Sequence, residues 1–378
     1  MATRPGMRRQ HSFRLPCRIA SQRFWGWSAF TLLTLLTGIA VWQTGKADHW
    51  ITFTESPDGI MGTSCTLVAV VQGTAANTAQ RIAMESADQA LRQVQARMSS
   101  YIGDSELSRF NRAGAGSVPL SDWTLTVVDH ARRFYDWTDG AFDITCRPCI
   151  ELWRWSDGMT TPPTAREIQA AREESSWDLI RREGATIVKL TDNVRFDLGG
   201  IAKGFAIDQA IHAMHSSGAL GGLVDVGGDL RCFGQPPDGK AWVVELRHPA
   251  GDQTPLTSLR LPHGWAVCTS GDYHRYSTIG GRRYSHIIDP RTGWPATKAR
   301  SVTVLAPSAL EADGWATALS VLGPEGIARI PAGEPVHGLL ISGTDPPTIT
   351  TFGAIRQYLL EDLPAIEARL TTPAPPAD

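Results

Sequence analysis

The apolar run FWGWSAFTLLTLLTGIAVW, Phe24 to Trp42, constrains this chain more than any other feature. Its 19 residues carry no charge, and a helix crossing a bilayer core needs about 20 such residues. Residues 1–23 ahead of it hold Arg4, Arg8, Arg9, Arg14, Arg18 and Arg23 and no acid. Basic residues before an apolar segment stay inside and send the following chain outward. Trp25, Trp27 and Trp42 suit the two membrane interfaces. The expected organisation is a basic segment 1–23 and a transmembrane anchor or signal h-region 24–42. Gly45-Lys46-Ala47 puts small residues where a signal peptidase cuts, but the run is long for a signal peptide, so an uncleaved anchor is preferred. No cysteine follows closely enough for a lipoprotein site, and the residues after Arg8-Arg9 fit the twin-arginine pattern poorly. The expected location is the bacterial inner membrane with the rest of the chain facing the periplasm, or export after cleavage.

Residues 50–365 then read as one globular domain, with 371–378, TTPAPPAD, as a disordered tail. Hydrophobic residues are 42% of the chain and charged residues 20%, enough apolar surface for a core. A formal net charge of -2 gives no basic excess, so nucleic acid is not an expected partner. Thr78 to Met98 has helical spacing in Ile82, Met84, Ala87, Leu91, Val94 and Met98. Ser121 caps a second helix to Trp137, and Thr164 a third to Glu174. Lys203 to His215 and Ala309 to Leu322 are further helices. Gly62 to Val71 is β-rich. Thr186 to Leu190 and Val194 to Phe196 alternate like paired strands turned at Asp192-Asn193. Leu223 to Val226, Ala241 to Leu246, Thr257 to Leu261, Trp265 to Thr269 and Ser301 to Leu305 are short strands. Without a regular βαβ alternation, the expected class is α+β, with mixed, mainly antiparallel sheets and flanking helices.

The richest chemistry lies in DLGGIAKGFAID, Asp197 to Asp208. Gly199-Gly200 sits where a strand turns into a helix, so the backbone can approach a ligand and the helix N-terminus favours an anion. Lys203 is in the first turn and reaches a phosphate there. On spacing alone the stretch reads equally as a glycine-rich turn with a solvated lysine, and it is not the dinucleotide-binding G-x-G-x-x-G. SHIIDPRTGWP, Ser285 to Pro295, gathers His286, Asp289 and Arg291 on a turn fixed by Pro290 and Gly293, and His286 suits acid–base work near neutral pH. In ALEADGWATAL, Asp313 and Thr317 share a helix face as hard oxygen ligands for Mg²⁺ or Ca²⁺; a first-turn aspartate is the alternative. VDVGGDL, Val224 to Leu230, flanks Gly227-Gly228 with Asp225 and Asp229. CTSGDYHRY, Cys268 to Tyr276, puts Ser270, Gly271, Tyr273 and Arg275 in a loop. Both either line a ligand or are ordinary hairpins. Cys146-Arg147-Pro148-Cys149 has C-x-x-C spacing but no zinc partner motif, so a disulfide or two packed thiols outweighs a redox site.

Taken in order, these motifs resemble the ApbE family, the FAD:protein FMN transferases. MGT at Met61, MSSYIGDSELSRFN at Met98 and GAFDITCRP at Gly140 complete the set, which spans roughly residues 60 to 325. The resemblance implies Mg²⁺-dependent transfer of FMN from FAD to a threonine or serine hydroxyl of a target protein, with release of AMP. FAD is thus a substrate, and the expected acceptor is a flavoprotein subunit of a membrane electron-transfer complex. An FAD pyrophosphatase and a non-catalytic flavin-binding assembly factor are the alternatives. Carried over motif by motif, Met61, Tyr101, Ala141, Phe142, Asp143, Asp197, Lys203 and Ile288 are the implied FAD contacts. Gly200, through its backbone, with Asp313 and Thr317 is the implied metal site. His286 and Asp289 are the implied catalytic pair. Cys146 and Cys149 stand where the family commonly has apolar residues, which favours packed thiols.

Overall fold

A computed structural model describes residues 50–72, 76–153, 159–249, 255–271, 276–343 and 346–371. The basic segment, the apolar run 24–42, Tyr273, Arg275 and residues 372–378 lie outside the described residues. Eight strands form one sheet: β1 (Trp50–Glu55), β2 (Cys65–Gln72), β3 (Gly221–Val226), β4 (Asp229–Phe233), β5 (Ala266–Gly271), β6 (Ser301–Ala306), β7 (His337–Ser342) and β8 (Thr348–Phe352). They lie side by side in chain order, and each neighbouring pair is antiparallel. The α+β class with mainly antiparallel sheets is therefore as the sequence suggests.

Alternation along the strands fills both faces. On β2, Leu67, Ala69 and Val71 meet four helices, while Val68 and Val70 point the other way. The helical layer is α1 (Ala76–Met98), α2 (Asp122–Thr138), α3 (Ala202–Ser216) and α4 (Ala309–Leu322). The opposite face is covered by a hairpin of Val243–Arg247 with Pro255–Arg260 and by the helix Leu363–Thr371, through Val244, Leu259, Ile366 and Leu370. That last helix runs across the expected domain end at 365 and takes in Thr371. Among the described residues no helix is long and apolar enough to cross a membrane.

Local signals account for most element ends. Thr164 and Glu167 form a reciprocal capping box on the helix Ala165–Glu173. Ser121 stands at the N-cap of α2, but its hydroxyl donates to Glu106 at 2.7 Å instead of capping the helix. On α1, Ile82 leaves the expected buried stripe and is 43% exposed.

Two sequence expectations fail for tertiary reasons. Thr186–Lys189 pairs with Ile180–Glu183 and Gly116–Pro119, not with Val194–Phe196. The latter segment makes only a bridge from Arg195 to Cys146. Its backbone is claimed by Asn111, whose side chain accepts from Phe196 N at 2.7 Å and donates to Phe196 O at 2.9 Å. Lys189 fixes the intervening turn by donating to the carbonyls of Phe110, Ala113 and Asp192. Ser270 and Gly271, expected in a loop, end strand β5.

The crossing of α3 and α4 positions the site. A Cβ on Gly204 would lie 2.1 Å from the carbonyl oxygen of Ala309, so the two helix starts meet backbone to backbone. Asp208, the last residue of the glycine-rich motif, locks this contact. Its carboxylate accepts from Ala309 N at 2.8 Å and Leu310 N at 2.9 Å, and pairs with Arg231 at 2.7 Å.

Candidate active site

Gly200 sits at the turn into α3, against α4. A side chain there would place Cβ 2.9 Å from Thr317 Cγ2 and 3.3 Å from Phe142 Cε2, so only glycine fits without a shift. The Thr317 hydroxyl donates to the Gly200 carbonyl at 3.3 Å. One turn earlier, Asp313 is 2% exposed, and its Oδ2 accepts from Gly204 N at 3.0 Å. Its Oδ1 lies 4.0 Å from Lys203 Nζ. The structure thus brings Gly200, Asp313, Thr317 and Lys203 together from two distant stretches. Ser270, at the end of β5, joins them with its hydroxyl 3.5 Å from that of Thr317.

Burial dominates the electrostatics here. It pushes the Asp313 carboxyl above the usual range, against the Lys203 charge and the Gly204 amide. Lys203 donates to Asp229 Oδ2, and Asp229 Oδ1 accepts from Thr269 N at 2.9 Å. Asp229 is only 1% exposed. Asp229 stands beside its glycines in sequence, and the fold brings it directly against Lys203 at the start of α3.

A divalent cation suits this donor set. Among the described residues no group of three or more His, Cys, Asp or Glu side chains gathers as a metal site. What gathers instead is a carbonyl, a hydroxyl and one buried carboxylate. These are hard oxygens, matched to Mg²⁺ rather than to zinc.

Of the remaining expected contacts, Phe142 stands against Gly200. Met61 adopts φ 47° in the turn before β2, and its amide donates to Gln95 Oε1. Tyr101 is 94% exposed, a large aromatic with almost no protein cover. Ala141 and Phe142 are buried, and the Phe142 ring packs on Phe134 at 5.2 Å between centroids. Asp143 accepts from the amide and hydroxyl of Thr145, both at 2.7 Å, while burial pushes its carboxyl up to about 6. Asp197 closes the glycine turn by accepting from Gly199 N at 2.9 Å, and its other oxygen pairs with Arg147 at 3.1 Å. Ile288 is buried beside Trp153 and Tyr284.

His286 follows the strand Arg282–Ser285, and Asp289 ends the short strand Ile288–Asp289, which pairs with Trp294–Pro295. Asp289 takes Arg291 in a fork, Nε at 2.9 Å and Nη2 at 2.8 Å, and accepts from Arg291 N at 3.0 Å. Between the pair, Ile287 packs on Ala141, Val321 and Leu322, which ties this turn to α4 and to the Ala141–Phe142 loop. Cys146 and Cys149 are buried free thiols. Burial raises both above the ordinary thiol range, which disfavours a reactive thiolate at either position.

The chain has known relatives. The model of the ApbE family matches residues 61–338. The FAD:protein FMN transferase of Vibrio cholerae is 37% identical over 262 residues, 68% of this chain and 78% of that protein. That of Haemophilus influenzae is 32% identical over 313 residues, 80% of this chain and 90% of that protein. Among solved structures, the flavin transferase ApbE from Vibrio cholerae superposes with a TM-score of 0.71 at 33% identity, covering 82% of this chain and 100% of that one. The apo flavinyl transferase ApbE of Pseudomonas stutzeri gives 0.72 at 30% identity, covering 84% and 98%. With its motifs, its antiparallel sheet and most of its length accounted for in this way, the chain belongs to the ApbE family.

Proposed function

We propose that this chain is an FAD:protein FMN transferase, which moves FMN from FAD to a threonine or serine hydroxyl of a target protein in a Mg²⁺-dependent reaction and releases AMP. The observation that carries this reading is the meeting of Gly200, Asp313 and Thr317 at the start of α3, beside Lys203. A helix start with an adjacent ammonium attracts a phosphate, and the oxygens beside it suit a hard cation. Relatives named as FAD:protein FMN transferases support the flavin as the phosphate donor.

In this account Gly200 O, Asp313 and Thr317 would hold Mg²⁺, which when bound neutralises pyrophosphate charge and favours departure of AMP. Lys203 contacts a phosphate oxygen of FAD. The turn at Asp197 and Gly199 leaves room for the pyrophosphate beside the helix. Met61, Tyr101, Ala141, Phe142, Asp143 and Ile288 line the remainder of the FAD site. His286 takes the proton of the acceptor hydroxyl as its oxygen bonds to the FMN phosphorus, while the bond from that phosphorus to the AMP oxygen breaks. Asp289 holds Arg291, and so the turn that presents His286. The N-terminal segment 1–42 anchors the enzyme with residues 50–365 in the periplasm, where the acceptor is a flavoprotein subunit of a membrane electron-transfer complex.

Incubating the full chain with FAD, Mg²⁺ and a candidate acceptor domain tests the proposal. A covalent FMN adduct on the acceptor, with AMP in equal amount, is the expected product. Free FMN and AMP alone would make it a pyrophosphatase, and bound unaltered FAD a binding protein.

A further inference from the structure

Lys203 lies between two buried carboxylates. It donates to Asp229 Oδ2 and stands 4.0 Å from Asp313 Oδ1. The other oxygen of each carboxylate is already held by a backbone amide, Thr269 N on Asp229 and Gly204 N on Asp313. Asp229 and Asp313 are 1% and 2% exposed, so neither charge is relieved by water. One ammonium therefore serves two buried carboxylates. Asp225, on the same hairpin, accepts from Gly228 N at 2.8 Å and feels the Lys203 charge without a direct ion pair to it.

We infer that Asp229 is a positioning residue that sets the divalent-cation affinity of the site by holding Lys203 away from Asp313. The inference rests on the metal reading of Gly200, Asp313 and Thr317. With Asp229 charged, Lys203 is engaged on β4, and Asp313 keeps an oxygen and a net charge for the cation. If Asp229 is neutral, Lys203 turns wholly to Asp313 and forms a closed ion pair. A cation then has to displace an ammonium from a buried carboxylate, where charge pairing is strong. Asp229 thus acts through a lysine and need not touch the metal or the flavin.

The sign of the effect in two backgrounds separates this role from a merely structural one. Mn²⁺ binding to the full chain at saturating FAD is read from the loss of the free Mn²⁺ paramagnetic resonance signal, with Mg²⁺ competing. Asp229→Asn, which keeps the acceptor for Thr269 N, is expected to weaken Mn²⁺ binding by roughly tenfold or more. In a Lys203→Met background, where no ammonium is left to close on Asp313, the same substitution is expected to change the affinity less than about threefold. Unchanged affinity in Asp229→Asn, or an equal loss in both backgrounds, overturns the inference while the wild-type metal site stands. Absence of Mn²⁺ binding to the wild-type chain, or wild-type affinity retained by Asp313→Ala, overturns the metal reading and this inference with it. Thermal melts of each variant show that the fold is retained. A variant that does not fold is replaced by Asp229→Ser, for which the same outcomes apply.

Discussion

The Thr317 hydroxyl donates to the carbonyl oxygen of Gly200 at 3.3 Å, across 117 positions of sequence. The contact exists because α3 and α4 begin against each other. Gly204 allows the helix starts to touch, and Asp208 caps α4 from α3. The glycine turn and the oxygens of the proposed metal site are thereby one packed unit, which is what positioned catalysis requires.

Gly200→Ala tests the tightness of that unit. The new methyl would lie 2.9 Å from Thr317 Cγ2, forcing the turn and α4 apart. Expected are a stability loss of about 1–3 kcal/mol in urea unfolding and a fall in FMN transfer of roughly a hundredfold. Wild-type transfer would show that the approach is incidental.

Asp313→Ala removes the one carboxylate of the proposed metal set. Mg²⁺-dependent transfer is expected to fall by at least roughly a thousandfold. FAD binding, followed by flavin fluorescence in the absence of metal, is expected to persist. Retained Mg²⁺-dependent turnover would sink the assignment.

His286→Ala is expected to lower the transfer rate by about 100- to 10,000-fold, the range of general acid–base catalysis. FAD affinity should be unchanged, because His286 is assigned to the acceptor side. Wild-type turnover, or lost FAD binding, would contradict that role.

Asp143 gives a pH prediction. Burial raises its folded carboxyl from 3.8 to about 6. An acid with a raised folded pKa favours the folded state when protonated, and that contribution is lost as pH rises from about 4 through 6. Asp143→Asn keeps an acceptor for Thr145 but cannot ionise. Its stability relative to wild type is therefore expected to be higher at pH 7 than at pH 4, by about 1–3 kcal/mol. A difference independent of pH would mean that Asp143 is not desolvated in solution.

Much of this site is legible in the sequence because its parts have local signatures. The helix Ala309–Leu322 has the bounds its sequence suggests, and its Asp313–Thr317 spacing gives one face. The glycine turn before α3 is equally visible. What is not legible is long-range. Nothing in Val194–Phe196 reveals that Asn111 takes its backbone and keeps it from pairing. Asp289 and Arg291 stand two apart in sequence, but the fork in which Arg291 holds both oxygens of Asp289 is seen only in the fold. Asp208 and Asp229 look like polar ends of glycine motifs, yet one caps a helix a hundred positions away and the other binds Lys203. Ser270 reads as a loop residue because β5 runs three residues past its last apolar position, Cys268.

The most direct test of the account is the anomalous scattering of a crystal grown with FAD and Mn²⁺ in place of Mg²⁺. One strong peak is expected, bounded by Gly200 O, Asp313 Oδ1 and Thr317 Oγ1, next to the flavin pyrophosphate, with Lys203 still on Asp229. A peak elsewhere, or a flavin phosphate bound at this turn with no metal beside Asp313, would contradict it.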